Sequence, residues 1–189
     1  MPYTKLIFKS PSVEQPTGIH LSSNCGDSDV EQFLQELVGD DVRSEYHEYF
    51  IRAFDYMLRE DEVVLAGGVA FFDDENKYIL PSCCCGLEDW ESVQDSIQDR
   101  VSPWLGHDPT PCITFQPNYL TVWSDSLDPQ DEERYNIPFT YNEILASLDK
   151  NKTDFLAFID QPLFEWISKR DEGIAELMKQ KMRLWFIKD

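Results

Sequence analysis

An α+β fold, with short antiparallel strands in the middle of the chain flanked by N-terminal and C-terminal helices, is the class this sequence predicts. Three observations predict it. Apolar residues at helical spacing run from about position 28 to 58 and again after Thr140. Between those regions lie short β-branched and aromatic runs separated by turn residues. No repeat, low-complexity tract or Gly/Ser linker interrupts the 189 residues, which predicts one domain spanning 1–189.

In chain order, Tyr3 to Lys9 alternates enough for a first strand, with Leu6 and Phe8 opposite Ile7. Pro11 to Gly26 is rich in Pro, Ser and Gly and reads as loop. Asp27 or Ser28 can cap a helix to Val38, whose inner face carries Val30, Phe33, Leu34 and Leu37. Gly39-Asp40-Asp41 ends it. Ser44 opens a second helix with a stripe of Tyr46, Phe50, Phe54, Met57 and Leu58, read as core, and Glu48–Arg52 and Asp55–Arg59 as outward ion pairs.

Glu62 to Phe72 is too β-branched and glycine-interrupted for a helix, and with Lys77 to Leu80 it predicts a hairpin tipped by Asp73-Asp74-Glu75-Asn76. Glu88 to Val101 has helical spacing. Ile113–Gln116 and Tyr119–Ser124 form a second hairpin around Pro117-Asn118. The final helices are expected at Tyr141–Leu148, Asp154–Lys169 and Ile174–Trp185, with Pro162 kinking or dividing the middle one.

Charge narrows the function classes. The formal net charge is −20, and the last nineteen residues are balanced, so the whole excess sits in the body of the fold. Such a surface disfavours nucleic-acid phosphates and anionic lipid and favours a basic partner. The start, MPYTKLIFKSPS, has no apolar signal segment, and no run of about 18 apolar residues occurs, which together predict a cytoplasmic protein without a membrane partner. Five cysteines, three of them consecutive, do not form a disulfide framework; free thiols or ligands are expected.

The stretch PSCCCGLEDW raises the chemical question. In an extended backbone Cys83 and Cys85 share one face and Cys84 takes the other. A metal site would then draw on Cys83, Cys85, His107 and Cys112, with Asp108 beside them, although C-x-C followed by H-x₄-C is not the usual zinc spacing. A nucleophilic Cys85 before a helix start, with His107 as base, lacks a third orienting group. The reading that accounts for the whole stretch is packing: three small apolar side chains where a strand turns into a helix. No metal or other cofactor is expected on that reading. In SPWLGHDPTPC, Gly106 and the prolines fix a rigid loop in which Asp108 organises the turn. Walker, dinucleotide, zincin, esterase and EF-hand signatures are all missing.

LPSCCCGLEDWESV, SPWLGHDPTP and VWSD together resemble a family of bacterial proteins carrying a CCxGLEDW-type turn and a WLGHDPS/TP loop, and PLFEWISKRDEGIAELM resembles that family's C-terminal helices. The resemblance brings no activity with it. In size, charge and architecture the chain is also loosely similar to the acidic α+β immunity proteins of bacterial toxin systems. A non-enzymatic acidic binding protein, such as an immunity-type inhibitor of a basic toxin, is therefore expected. Its contacts are expected at the acidic turns Asp40-Asp41, Asp73-Asp74-Glu75 and Asp131-Glu132-Glu133. The alternative is a metal-binding or thiol-dependent enzyme built on the cysteine–histidine region.

Overall fold

The computed structural model describes residues 1–10, 16–73, 77–125 and 134–188. The class is α+β, with helices at both ends and two small antiparallel sheets of short strands. The chain divides into two compact units, each assembled from two stretches: Met1–Ile7 with Ala66–Lys152, and Phe8–Leu65 with Thr153–Asp189.

β1 (Tyr3–Phe8), which lies in the first unit up to Ile7, β3 (Gly67–Phe72) and β4 (Tyr78–Ile79) are neighbours in that order. β3 and β4 are antiparallel, with Phe71 opposite Ile79 and Phe72 opposite Tyr78, as the hairpin pattern requires. All six residues of β3 are buried, which explains its unbroken apolar run. Tyr3 stacks on Phe72 with ring centres 5.2 Å apart, and Lys5 Nζ lies 5.2 Å from the centre of the Phe72 ring. The α3 helix (Trp90–Gln98) buries Trp90, Val93 and Ile97 on one stripe, so its apolar spacing matches its inner face.

The second sheet holds β5 (Cys112–Phe115), β6 (Tyr119–Trp123) and β7 (Asn136–Thr140), all antiparallel. The hairpin around Pro117-Asn118 stands where the sequence puts it. Sequence reading missed β7, because Pro138 lacks a backbone donor. As an edge strand it tolerates that loss, turning Pro138 outward while Ile137 and Phe139 are buried. Phe139 meets Phe71 edge-on at 6.2 Å.

The second unit contains β2 (Ile19–His20), inside the stretch read as loop, and α1 (Asp27–Val38). The buried face of α1 is Val30, Phe33, Leu34 and Leu37, as the spacing predicts. Its N-cap is Gly26 rather than Asp27 or Ser28, because the Asp29 carboxylate accepts the Gly26 N–H at 2.9 Å and supplies the capping contact from inside the first turn. Gly39, at φ +92°, ends the helix. A 3-10 turn follows over Asp40–Arg43, then α2 (His47–Met57), which starts three residues after Ser44, where the sequence opens it.

The C-terminal region corrects one boundary. Instead of breaking after Leu148, α4 runs unbroken over Tyr141–Phe158. Asn151 is the reason the polar stretch stays helical: it is 1% exposed, and its amide donates to Thr4 Oγ1 at 2.9 Å. Pro162 divides the next stretch as expected. It sits in a π-turn over Ile159–Leu163, after which α5 (Phe164–Ser168) and α6 (Glu172–Phe186) follow. Asp171 caps α6 by accepting the Ile174 N–H at 2.9 Å. The core of the second unit is an aromatic chain: Phe8 meets Phe33 edge-on at 5.3 Å, Phe33 meets Phe158 at 5.2 Å, and Phe155 meets Phe186 at 5.8 Å. Edge-to-face pairs of this kind add roughly 0.5–1.5 kcal/mol each beyond their buried area.

Candidate functional site

Two surfaces carry the residues that the sequence singles out, one in each unit.

In the second unit the acidic turn and α2 make one face. Asp40 and Asp41 line an open depression of about 330 Å³ together with Gly39, Arg52, Ala53 and Tyr56. Residues three and four apart share a helix side, so Tyr49, Arg52 and Tyr56 fall along one stripe of α2, and Tyr46 at its N-cap meets Tyr49 edge-on at 5.9 Å. Tyr46 is 69% exposed and Tyr56 68%. This corrects the assignment of Tyr46 to the core; the inner stripe is Phe50, Ala53 and Phe54. The tyrosine sits at the N-cap, one position before the helical register begins, and turns outward.

The outward ion pairs also differ from expectation. Asp55–Arg59 forms at 2.6 Å, but Arg52 takes Asp41 at 3.2 Å and stands 4.8 Å from the Tyr49 ring centre. The turn is held from below. Arg170 Nη1 donates to the Val42 carbonyl at 2.7 Å and the Ser44 carbonyl at 3.2 Å, while its guanidinium lies against Phe50 and Trp166. A fixed cation thereby satisfies carbonyls that the short 3-10 turn leaves without helical partners.

The remaining acidic turns divide. Asp73 is half-buried in the first unit, its N–H donating to the Lys77 carbonyl at 3.0 Å and its carboxylate 3.9 Å from Lys77 Nζ. Asp74, Glu75, Asp131, Glu132 and Glu133 lie outside the described residues. Asp73 and the Asp40-Asp41 turn belong to different units.

In the first unit the cysteine stretch pairs with the glycine–histidine loop. The Ser82 N–H donates to the Leu105 carbonyl at 2.8 Å, the His107 N–H donates to the Cys83 carbonyl at 3.3 Å, and Ser82 Oγ donates to the His107 carbonyl at 2.7 Å. The strands come this close because Gly106 has no side chain. A Cβ there would lie 2.5 Å from the Cys83 carbonyl oxygen, and its φ of +93° suits glycine.

Cys84 changes the expected layout. Its φ is +65°, so the backbone is not extended and the side chains of Cys83 and Cys84 do not point to opposite faces. Their sulfurs are 3.4 Å apart. His107 Nε2 lies 3.4 Å from Cys84 Sγ and 3.5 Å from Cys83 Sγ, and His107 Nδ1 is 3.0 Å from Asp108 Oδ2. Among the described residues, the cluster able to hold a metal ion is therefore Cys83, Cys84 and His107, rather than Cys83, Cys85, His107 and Cys112. Cys112 is half-buried on β5, its Sγ 3.8 Å from the Asp125 carbonyl. Burial pushes its thiol up, against the nearby positive charge of Arg134. Cys85 is half-buried too and lines a different recess with Gly68, Pro81 and Trp90. Cys83 and Cys84 are exposed. The packing role expected for the three thiols is thus available to Cys85 alone.

Asp108 takes φ +56° within the turn, and its carboxylate lies 3.0 Å from His107 Nδ1, where it can orient the imidazole. The Cys83 thiol is raised above its ordinary value, first by its hydrogen bond with Cys84, then by desolvation and the negative charges of Cys84 and Asp108. Cys84 is the member sequence reasoning missed. The residue pattern carried no signal for it: the nearby Gly86 is extended at φ −106°, and Cys84 itself takes the left-handed angle.

The fold and these two surfaces define an acidic α+β protein. No family model matches the chain, and no curated protein or solved structure matches it either. Among the described residues no helix is long and apolar enough to cross a membrane.

Proposed function

We propose that this is an acidic, non-enzymatic binding protein whose partner is a basic protein, as an immunity-type inhibitor covers a basic toxin. The observation that supports the reading is the face of the second unit on which Asp40 and Asp41 border a depression beside exposed Tyr56, with Tyr46 and Tyr49 along the same helix. From Asp40 to Glu62 the chain has eight acids and three arginines, so the face adds to the general negative field. Carboxylates steer a basic partner and set its orientation. Tyrosines supply the buried anchors from which most binding energy comes, since their rings bury large area at little entropy cost. Arg52 makes the surface specific: a partner cation that takes Asp41 must displace or share it.

The test is capture of partners at low salt, elution by rising salt, and re-measurement with the purified partner. A one-to-one complex with a basic protein is expected. Tyr56→Ala should weaken it by about tenfold or more. Asp40→Asn with Asp41→Asn should slow association and flatten its salt dependence. A purified partner that binds both variants as tightly as the parent would move the interface elsewhere, and the lack of any stoichiometric basic partner would remove the reading.

A further inference from the structure

Two thiols and one imidazole nitrogen form a nearly equilateral triangle, with edges of 3.4, 3.4 and 3.5 Å. We propose that Cys83 Sγ, Cys84 Sγ and His107 Nε2 bind one Zn²⁺ ion, leaving its fourth coordination position open to solvent.

Size and ligand type agree. Bonds of about 2.3 Å to sulfur and 2.0–2.1 Å to nitrogen, at tetrahedral angles, separate the ligand atoms by about 3.5–3.8 Å. The triangle reaches that with side-chain shifts of a few tenths of an ångström. An ion lying in the plane of its three ligands would need them roughly 3.8–4.0 Å apart with the same bonds. The tetrahedral separations are the nearer match, with three protein ligands and the fourth position left to solvent. Two thiolates and an imidazole suit zinc among the divalent ions and exclude magnesium and calcium, which take oxygen.

The surroundings supply the rest. Asp108 Oδ2 lies 3.0 Å from His107 Nδ1, and a proton on that nitrogen leaves Nε2 as the donor. The two ligand-bearing segments are tied by the Cys83–His107 backbone bridge and by Ser82. Exposure of both thiols leaves the ion an entry path and its fourth position in water. Binding displaces thiol protons, so affinity rises with pH. The site lies wholly in the first unit, and its test requires no partner, so its failure and that of the binding reading are separate events.

The full-length protein is reduced, freed of metal with a chelator, and titrated with Co²⁺ and then Zn²⁺ as competitor. One equivalent of Co²⁺ is expected, with tetrahedral ligand-field bands and thiolate charge-transfer absorption that Zn²⁺ abolishes. Cys83→Ser, Cys84→Ser and His107→Ala should each lower affinity by more than about tenfold, whereas Cys112→Ser should not. Asp108→Asn should retain the bands and lose about 10–100-fold in affinity. In the parent protein, Zn²⁺ should protect Cys83 and Cys84 from alkylation, as mapped by peptide mass spectrometry, which needs no variant to fold. Failure of the parent to take up a stoichiometric ion, uptake undiminished in the Cys83→Ser/Cys84→Ser double variant, or alkylation of both thiols unaffected by Zn²⁺ would each overturn the proposal.

Discussion

Asp160 and Arg183 form a two-oxygen contact: Arg183 Nη2 donates to Oδ1 and to Oδ2, both at 2.7 Å, linking the π-turn to α6. Lys179 adds a second cation at 3.4 Å. Partial burial alone would raise the Asp160 carboxyl, but the Arg183 hydrogen bonds and the two positive charges outweigh it, so the group titrates below its ordinary 3.8.

That depression sets the sign of the pH effect. At acidic pH the unfolded chain binds a proton here more readily than the folded one, so folding gains stability as pH rises through this range. The contribution is fully present above about pH 4–5 and is lost as pH falls through the depressed folded value. Asp160→Asn is expected to destabilise the protein at pH 7 by about 1 kcal/mol, a modest figure because a third of the carboxylate remains in water. The difference between variant and parent should shrink towards zero in chemical denaturation below about pH 3.

Gly106→Ala tests the close approach that builds the cysteine–histidine cluster. Its Cβ would collide with the Cys83 carbonyl and with Ser82, at 2.5 and 2.8 Å, from a backbone angle that alanine resists. A loss of about 1–3 kcal/mol is expected from the strained backbone. Urea denaturation measures it. A control at Gly26, whose φ is −83° and whose nearest foreign atom is 3.9 Å from the same built position, should cost far less.

Thr4 is the hub of a buried polar network in the first unit. Its N–H donates to Ser147 Oγ at 2.7 Å, its hydroxyl to the same oxygen at 2.9 Å, and it accepts the Asn151 amide. Thr4→Val keeps the shape and strands the amide of a residue that is 1% exposed, for an expected loss of about 1–3 kcal/mol. Combining it with Asn151→Leu should recover part of that loss, because no donor is then left unpaired. Additive losses in thermal and chemical unfolding would contradict the account.

Much of the fold was legible because its signals are local. The inner stripe of α1, the hairpins at β3–β4 and β5–β6, and the division at Pro162 all depend on side chains within a few positions of one another. The acidic Asp40-Asp41 turn was legible for the same reason. The missed elements depend on distant partners. The α4 helix crosses a polar stretch because Asn151 finds Thr4, 147 positions earlier, and β7 accepts a proline because it is the edge of its sheet.

By itself the sequence determined the class of the fold, the −20 charge and the presence of thiols beside a glycine. Tertiary structure alone decided which thiols meet. Cys84 joins Cys83 and His107, while Cys85 and Cys112 go elsewhere, because Cys84 adopts φ +65° and the loop carrying His107, 24 positions after Cys83, packs against Cys83 through a glycine. Spacing along the chain specifies helices and strands, whose contacts are near in sequence. A three-residue cluster is specified by backbone angles and long-range hydrogen bonds, which periodicity does not encode.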